Sequence, residues 1–230
     1  MKRIKVKKSL VFLFTVIFQS TLFAQGVVKG RVIFEGTPAP AETVEVKSDI
    51  PTCGATKVIQ KVVLGEGKGV ANAVVKVLGA PGVPEPKKGT LDQVHCEFVP
   101  HVQVLPLGAT LTLTSSDSVL HNSHAFYEDG STAFNIAVPI PGMEVPLKLD
   151  KPGVIKLRCD AGHTWMGAYI VVVPGAHYAL TDANGNFSIE GVPPGDYEIE
   201  AWHEWLGTQK KKMTVKKGVS EPVDFTLTKS

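Results

Sequence analysis

Within eight residues, Cys159-Asp160-Ala161-Gly162-His163-Thr164-Trp165-Met166 supplies a thiol, an imidazole and a thioether. A Cys and two His in a plane, with a weak axial Met, are the donors of copper sites that carry single electrons. This loop provides three of those four groups, so a second His must come from elsewhere in the chain. Taken singly, Cys159 also fits an inert buried thiol and Met166 an ordinary core methionine. Zinc suits the set less well, because it favours Cys, His and carboxylate over a thioether. A haem attachment motif, Cys-x-x-Cys-His, is absent.

The elements that would position these groups are strands. Val154 to Cys159 alternates, with Ile155, Leu157 and Cys159 on one face and Lys156 and Arg158 on the other. Cys159 therefore ends a strand while facing inward. Gly167 to Val173 follows the loop as an apolar strand. Upstream, a polar loop at Ser115 to Ser118 leads into Val119-Leu120-His121-Asn122-Ser123-His124-Ala125-Phe126. His121 and His124 both compete for the missing position. Three residues apart on a strand they point to opposite faces, so one metal takes only one of them.

The first 24 residues read as a secretory signal peptide. Lys2, Arg3, Lys5, Lys7 and Lys8 precede a short apolar run from Leu10 to Phe18, with Ala24 at the expected cleavage point. That run is shorter than the roughly 20 apolar residues a membrane span needs, so no stable span is expected after cleavage. The remainder carries 19 Lys plus Arg against 22 Asp plus Glu. The basic balance belongs to the leader and gives no reason to expect nucleic acid as a partner. A periplasmic or secreted protein is expected. Three cysteines in an oxidising compartment suggest one pair and a leftover. With Cys159 in the ligand-rich loop, Cys53 and Cys96 are the natural disulfide, three free thiols being the alternative.

Gly (22), Pro (16) and many Val and Thr describe strands and turns throughout. Strands are expected at Val27 to Phe34, Thr43 to Lys47, Lys57 to Leu64 and Gly69 to Leu78. Gly79 to Gly89 is a Pro/Gly-rich crossing. Further strands are expected at Val94 to Val104, Ala109 to Thr114, Val145 to Leu149, Tyr197 to His203, Met213 to Val215 and Val223 to Thr228. Asn184-Gly185 between β-type residues signals a hairpin. Ser115-Ser116-Asp117 fits a turn.

Two family resemblances follow. Residues 86–174 resemble a cupredoxin, the small β-sandwich of blue copper proteins, through Phe98-Val99-Pro100, the Gly108 turn, His121-Asn122 and the strand, loop and strand around Cys159. The resemblance implies a mononuclear copper bound by His121, Cys159, His163 and Met166. It also implies that Asn122 hydrogen-bonds across to the ligand loop. The loop has one residue more between Cys and His than amicyanin-type loops. The spacing also resembles half of the dinuclear copper loop of cytochrome oxidase, but Ile155 stands where that loop has its second Cys, which favours a single copper. The C-terminal part resembles the carboxypeptidase regulatory-like domain, a transthyretin-like sandwich, through Thr181-Asp182, Asn184-Gly185-Asn186-Phe187 and Pro194-Gly195-Asp196-Tyr197. The expected fold is all-β: two β-sandwiches, with residues 25–80 and 175–230 forming one and the cupredoxin inserted into it, or the two in tandem.

The function expected from these features is one-electron transfer with a redox partner protein. The other classes are a copper carrier or store, a metal-free structural or interaction module, and an oxidase or reductase, which needs a further open copper site. Phosphate-binding glycine loops and the Gly-x-Ser-x-Gly and His-Glu-x-x-His motifs are absent, and no catalytic role is expected. His95, His101, His177 and His203 are expected in ordinary structural roles. Trp165, between two candidate ligands, fits either a partner contact over the metal or packing.

Overall fold

The structure is a computed structural model that describes residues 25–229, so the segment read as a leader lies outside the described residues. A central sandwich holds the ligand-rich loop. Its larger sheet has the strand order Thr132–Val138, His121–Tyr127, Gly153–Arg158, Gly167–Val173, Val102–Pro106. Its smaller sheet runs Val145–Lys148, Thr110–Leu113, Lys88–Val94, Glu97–Val99. Alternation drives the packing between them. Ile155 and Leu157 from one sheet and Leu91, Leu111 and Leu113 from the other are at most 1% exposed. At about 25 cal/mol per Å² of apolar surface, such side chains each contribute roughly 1.5–3 kcal/mol.

The flanking sandwich is built from both ends of the described chain. Strand Gly26–Phe34 pairs with Asn186–Val192, Gly218–Val219 and Phe225–Leu227. Strand Val74–Leu78 lies between Tyr178–Leu180 and Gly195–His203, and Gly207–Val215 completes that sheet. Val28, Val32, Val75, Phe187, Ile199 and Phe225 fill the space between the sheets. The chain thus leaves this sandwich after Leu78 and re-enters it at Tyr178. The two crossings are tied where the His177 ring Nε2–H donates to the Pro81 carbonyl, at 2.9 Å.

Segment 42–59 departs from the expected grouping of residues 25–80. Strands Glu42–Glu45 and Thr56–Ile59 pair only with each other, around the short helix Ile50–Cys53. Val46 and Cys53 pack in the core of the central sandwich, not the flanking one. The expected strand at 57–64 stops at Ile59, and the one at 69–78 begins only at Val74. Close packing is the reason for the second: a Cβ on Gly69 would meet the Asn184 carbonyl oxygen at 1.8 Å, so backbone here rests against the Asn184-Gly185 turn.

Between the sandwiches, Val74, Val102, Val171, Val173 and Trp202 form a smaller apolar cluster. Beside it the His101 ring contacts Glu204 Oε1 at 2.9 Å and the Gly167 carbonyl at 3.1 Å. Both partners are acceptors, so the ring supplies an N–H to each and is held as the imidazolium. The Glu204 hydrogen bond raises the His101 pKa above its ordinary 6.5, against the opposing effect of burial. A raised folded-state pKa contributes stability that is complete below the unfolded value and is lost as pH climbs through the folded value. Resistance to urea is therefore expected to decline as pH rises above about 6.5, and Glu204→Gln is expected to flatten that decline.

Candidate metal centre

His121 opens its strand as the first paired residue, opposite Val138. Cys159 follows directly on the neighbouring strand Gly153–Arg158, whose last pairs bring Arg158 opposite His124 and Leu157 opposite Ala125. Cys159 is thereby set beside Asn122, whose backbone N–H points at its Sγ at 3.4 Å. The loop then folds back on itself, the Met166 N–H donating to the His163 carbonyl at 3.0 Å. His121, Cys159, His163 and Met166 are all buried, at 0, 4, 0 and 3% exposure. Met166 packs in the same core cluster as Cys159.

His121, Cys159 and His163 each offer one donor atom, all within 4.8 Å of one another. The two His Nδ1 atoms are 3.1 Å apart, and His163 Nδ1 lies 3.8 Å from Cys159 Sγ. Metal–nitrogen bonds of about 2.0–2.1 Å at angles of about 100–120° place nitrogens roughly 3.1–3.6 Å apart. A metal–sulfur bond of about 2.3 Å beside one of them, over the same angles, puts sulfur and nitrogen roughly 3.3–3.8 Å apart. The observed separations match those of ligands to one shared ion.

Protonation makes the same point. His121 Nε2 faces Asp117 Oδ2 at 2.8 Å, and His163 Nε2 faces Asp49 Oδ2 at 3.0 Å. Carboxylates only accept, so each ring carries its proton on Nε2. Burial lowers the His121 pKa and favours the neutral ring. With both Nε2 atoms turned to carboxylates, the two rings aim Nδ1 at each other across 3.1 Å. Either a shared proton or a metal ion at this point satisfies both nitrogens, and the thiol of Cys159 3.8 Å from His163 Nδ1 adds a third donor for a metal.

His124 lies outside this cluster. It is half-buried, its Nδ1 pairs with Asp160 Oδ2, and its ring packs on Phe126 with centroids 4.0 Å apart. Asn122 spans to the loop: its Oδ1 accepts from the Asp160 N–H at 3.3 Å, and its Nδ2 donates to Asn135 Oδ1 at 2.6 Å. Cys53 and Cys96 form a disulfide beside His163, and Cys159 is the free thiol among the described residues. Trp165 is half-buried, with its Nε1–H on the Cys96 carbonyl at 2.9 Å and its ring centroid 5.4 Å from that of His163.

Two functional residues were not anticipated. Asp117, read as part of a turn, is 5% exposed. Its carboxylate accepts from the His95 and Cys96 N–H groups, both at 2.7 Å, as well as from His121. The two amides point the same way because His95 and Cys96 both have positive φ, 49° and 58°, in the tight turn between Lys88–Val94 and Glu97–Val99. The four-residue spacing of Asp117 and His121 was its only local sign. Asp49 gave none, being 114 residues from His163. Asp117→Ala strands two buried donors, the Cys96 N–H and His121 Nε2–H, at about 1–3 kcal/mol each, and frees the part-buried His95 N–H, offset partly by no longer burying a charge. A net loss on the order of 3 kcal/mol is expected in urea unfolding of the metal-free protein; a change under about 1 kcal/mol would show the donors find other partners.

The centre sits in a chain similar to two kinds of β-sandwich. The carboxypeptidase regulatory-like domain model matches residues 157–228. That match begins within the central sandwich and continues through the C-terminal strands of the flanking one. Among solved structures, a purple cupredoxin from Nitrosopumilus maritimus is 23% identical, over 37% of this chain and 99% of that one, with a TM-score of 0.32. An amicyanin variant is 14% identical over 43% of this chain and 98% of its own, at 0.34. A copper-containing nitrite reductase from Thermus scotoductus SA-01 is 17% identical, over 63% of this chain and 28% of that one, at 0.32. No curated protein matches the chain. The chain is all-β among the described residues, with its sheets arranged in two sandwiches.

Proposed function

We propose that this is an exported mononuclear copper protein that passes single electrons, with His121, Cys159, His163 and Met166 as the ligands. The observation that carries this reading is the pair of inward Nδ1 atoms 3.1 Å apart with a buried thiol alongside. Copper supplies a one-electron couple within such a soft and imidazole donor set. The protein's part is to hold the donors still. Asp117 and Asp49 fix both imidazole tautomers, Asn122 braces the loop beside Cys159, and the surrounding core excludes water. A rigid, dry donor set lets the site change charge with little rearrangement, which suits electron transfer better than turnover of a substrate.

Export is supported by the leader-like first 24 residues and by the Cys53–Cys96 disulfide, which belongs in an oxidising compartment. Among the described residues no helix is long and apolar enough to cross a membrane. A redox protein is the partner this function requires. Voltammetry of the copper-loaded protein tests the electron-transfer reading. A reversible one-electron wave supports it. A site that loads copper but gives no reversible wave returns the carrier or store instead.

A further inference from the structure

The outermost group of the centre does not belong to the central sandwich. Asp49 comes from segment 42–59, which enters the central core through Val46 and Cys53. Two further ties hold it there. The Cys53–Cys96 disulfide joins it to the turn that supports Asp117, and Lys57 Nζ reaches Glu97 Oε1 at 2.9 Å and the His95 carbonyl. One turn, His95-Cys96, thus receives the amide contacts of Asp117, the indole of Trp165, the disulfide and Lys57.

We propose that Asp49 is a positioning residue of the metal centre and that segment 42–59 is the cap through which it seals the outer edge of His163. This rests on the copper reading of the cluster. The backbone of Asp49 is fixed, with φ 56° and ψ 28° and its carbonyl accepting from the Thr52 and Cys53 N–H groups at 2.9 Å. Its side chain makes no local cap to the helix and is directed at His163. His163 is fully buried, whereas the Asp49 side chain is 40% exposed. The carboxylate is therefore the polar group between the His163 ring and solvent.

Two consequences follow. Accepting a hydrogen bond from Nε2–H keeps His163 Nδ1 turned inward as the donor atom for the ion. Its negative charge also favours the more positive oxidation state of a bound metal over the less positive one. Asp49 thereby sets both the tautomer of His163 and the balance between cupric and cuprous forms.

The test compares wild type with Asp49→Asn and Asp49→Ala in the whole protein. Imidazole nitrogen shifts measured by NMR on copper-free protein report the tautomer. Copper titration and voltammetry report affinity and potential. In wild type the His163 proton is expected on Nε2. Asp49→Ala is expected to mix the tautomers and to weaken Cu(II) binding by about 10–100-fold. With Cu(I) binding less affected, the potential rises by about 59 mV for each tenfold difference. Asp49→Asn keeps an oxygen acceptor, so the tautomer is expected to persist while the potential still rises. Unchanged tautomer and potential in Asp49→Ala overturn the proposal. Failure of wild type to take up copper would sink the copper reading, and the tautomer result in the copper-free protein then decides the role of Asp49 by itself.

Discussion

Cys159→Ser is expected to remove the intense visible absorption of the Cu(II)-loaded protein and to weaken copper binding by more than about a hundredfold, since outer partners alone are worth roughly 10–100-fold. The physical reason is the donor. A thiolate is soft and gives up electron density to Cu(II), which is what colours such a site. A serine hydroxyl is hard and keeps its proton at neutral pH. Cys159 is buried in the central core, where Ser fits the space, so the fold should survive the change. Absorption titration of wild type and variant checks the prediction, and His124→Ala is the control. Because His124 faces away and pairs with Asp160, its removal should leave colour and affinity near wild type. Colour that persists in Cys159→Ser would remove the thiol from the centre.

The second large effect belongs to the disulfide. Replacing Cys53 and Cys96 together by Ala frees a loop of 43 residues in the unfolded chain. The chain-entropy relation gives about 4 kcal/mol for a loop of that length. Both cysteines are almost fully buried in the central core, so the loss of packing adds to this rather than offsetting it. A fall in the urea midpoint corresponding to about 4 kcal/mol is therefore expected. Copper binding should weaken in the same variant, because the cap that delivers Asp49 loses its covalent tie. Unaltered stability would mean the hairpin is held by Lys57 and Val46 without help from the bridge.

The sequence made the local parts of this centre readable. Strict alternation in Val154 to Cys159 shows which way Cys159 points, and Ile155, Leu157 and Cys159 are indeed the buried residues. The choice between His121 and His124 needed the sheet, since alternation shows only that they face opposite ways. The structure adds which face meets the core: His121 is fully buried and His124 is not. Strand Thr132–Val138 escaped notice although Phe134, Ile136 and Val138 alternate with the exposed Asn135 and Ala137, because it is a short edge strand whose first residues break that period at a register shift. Val70 suggested a strand running on from Gly69, but contact with the Asn184-Gly185 turn overrode that preference. Asp49 was illegible for a different reason. Its partner lies 114 residues away, and the contact exists only because a segment bracketed by flanking-sandwich strands crosses to the other core. Pairing of that kind leaves no periodicity to read.

Copper titration of the purified wild-type protein, followed by visible and paramagnetic resonance spectra, tests the central claim most directly. A single Cu(II) per chain, with intense visible absorption and the spectrum of one copper bound to a thiolate, is the predicted result. A protein that stays colourless and takes up no stoichiometric copper would contradict it.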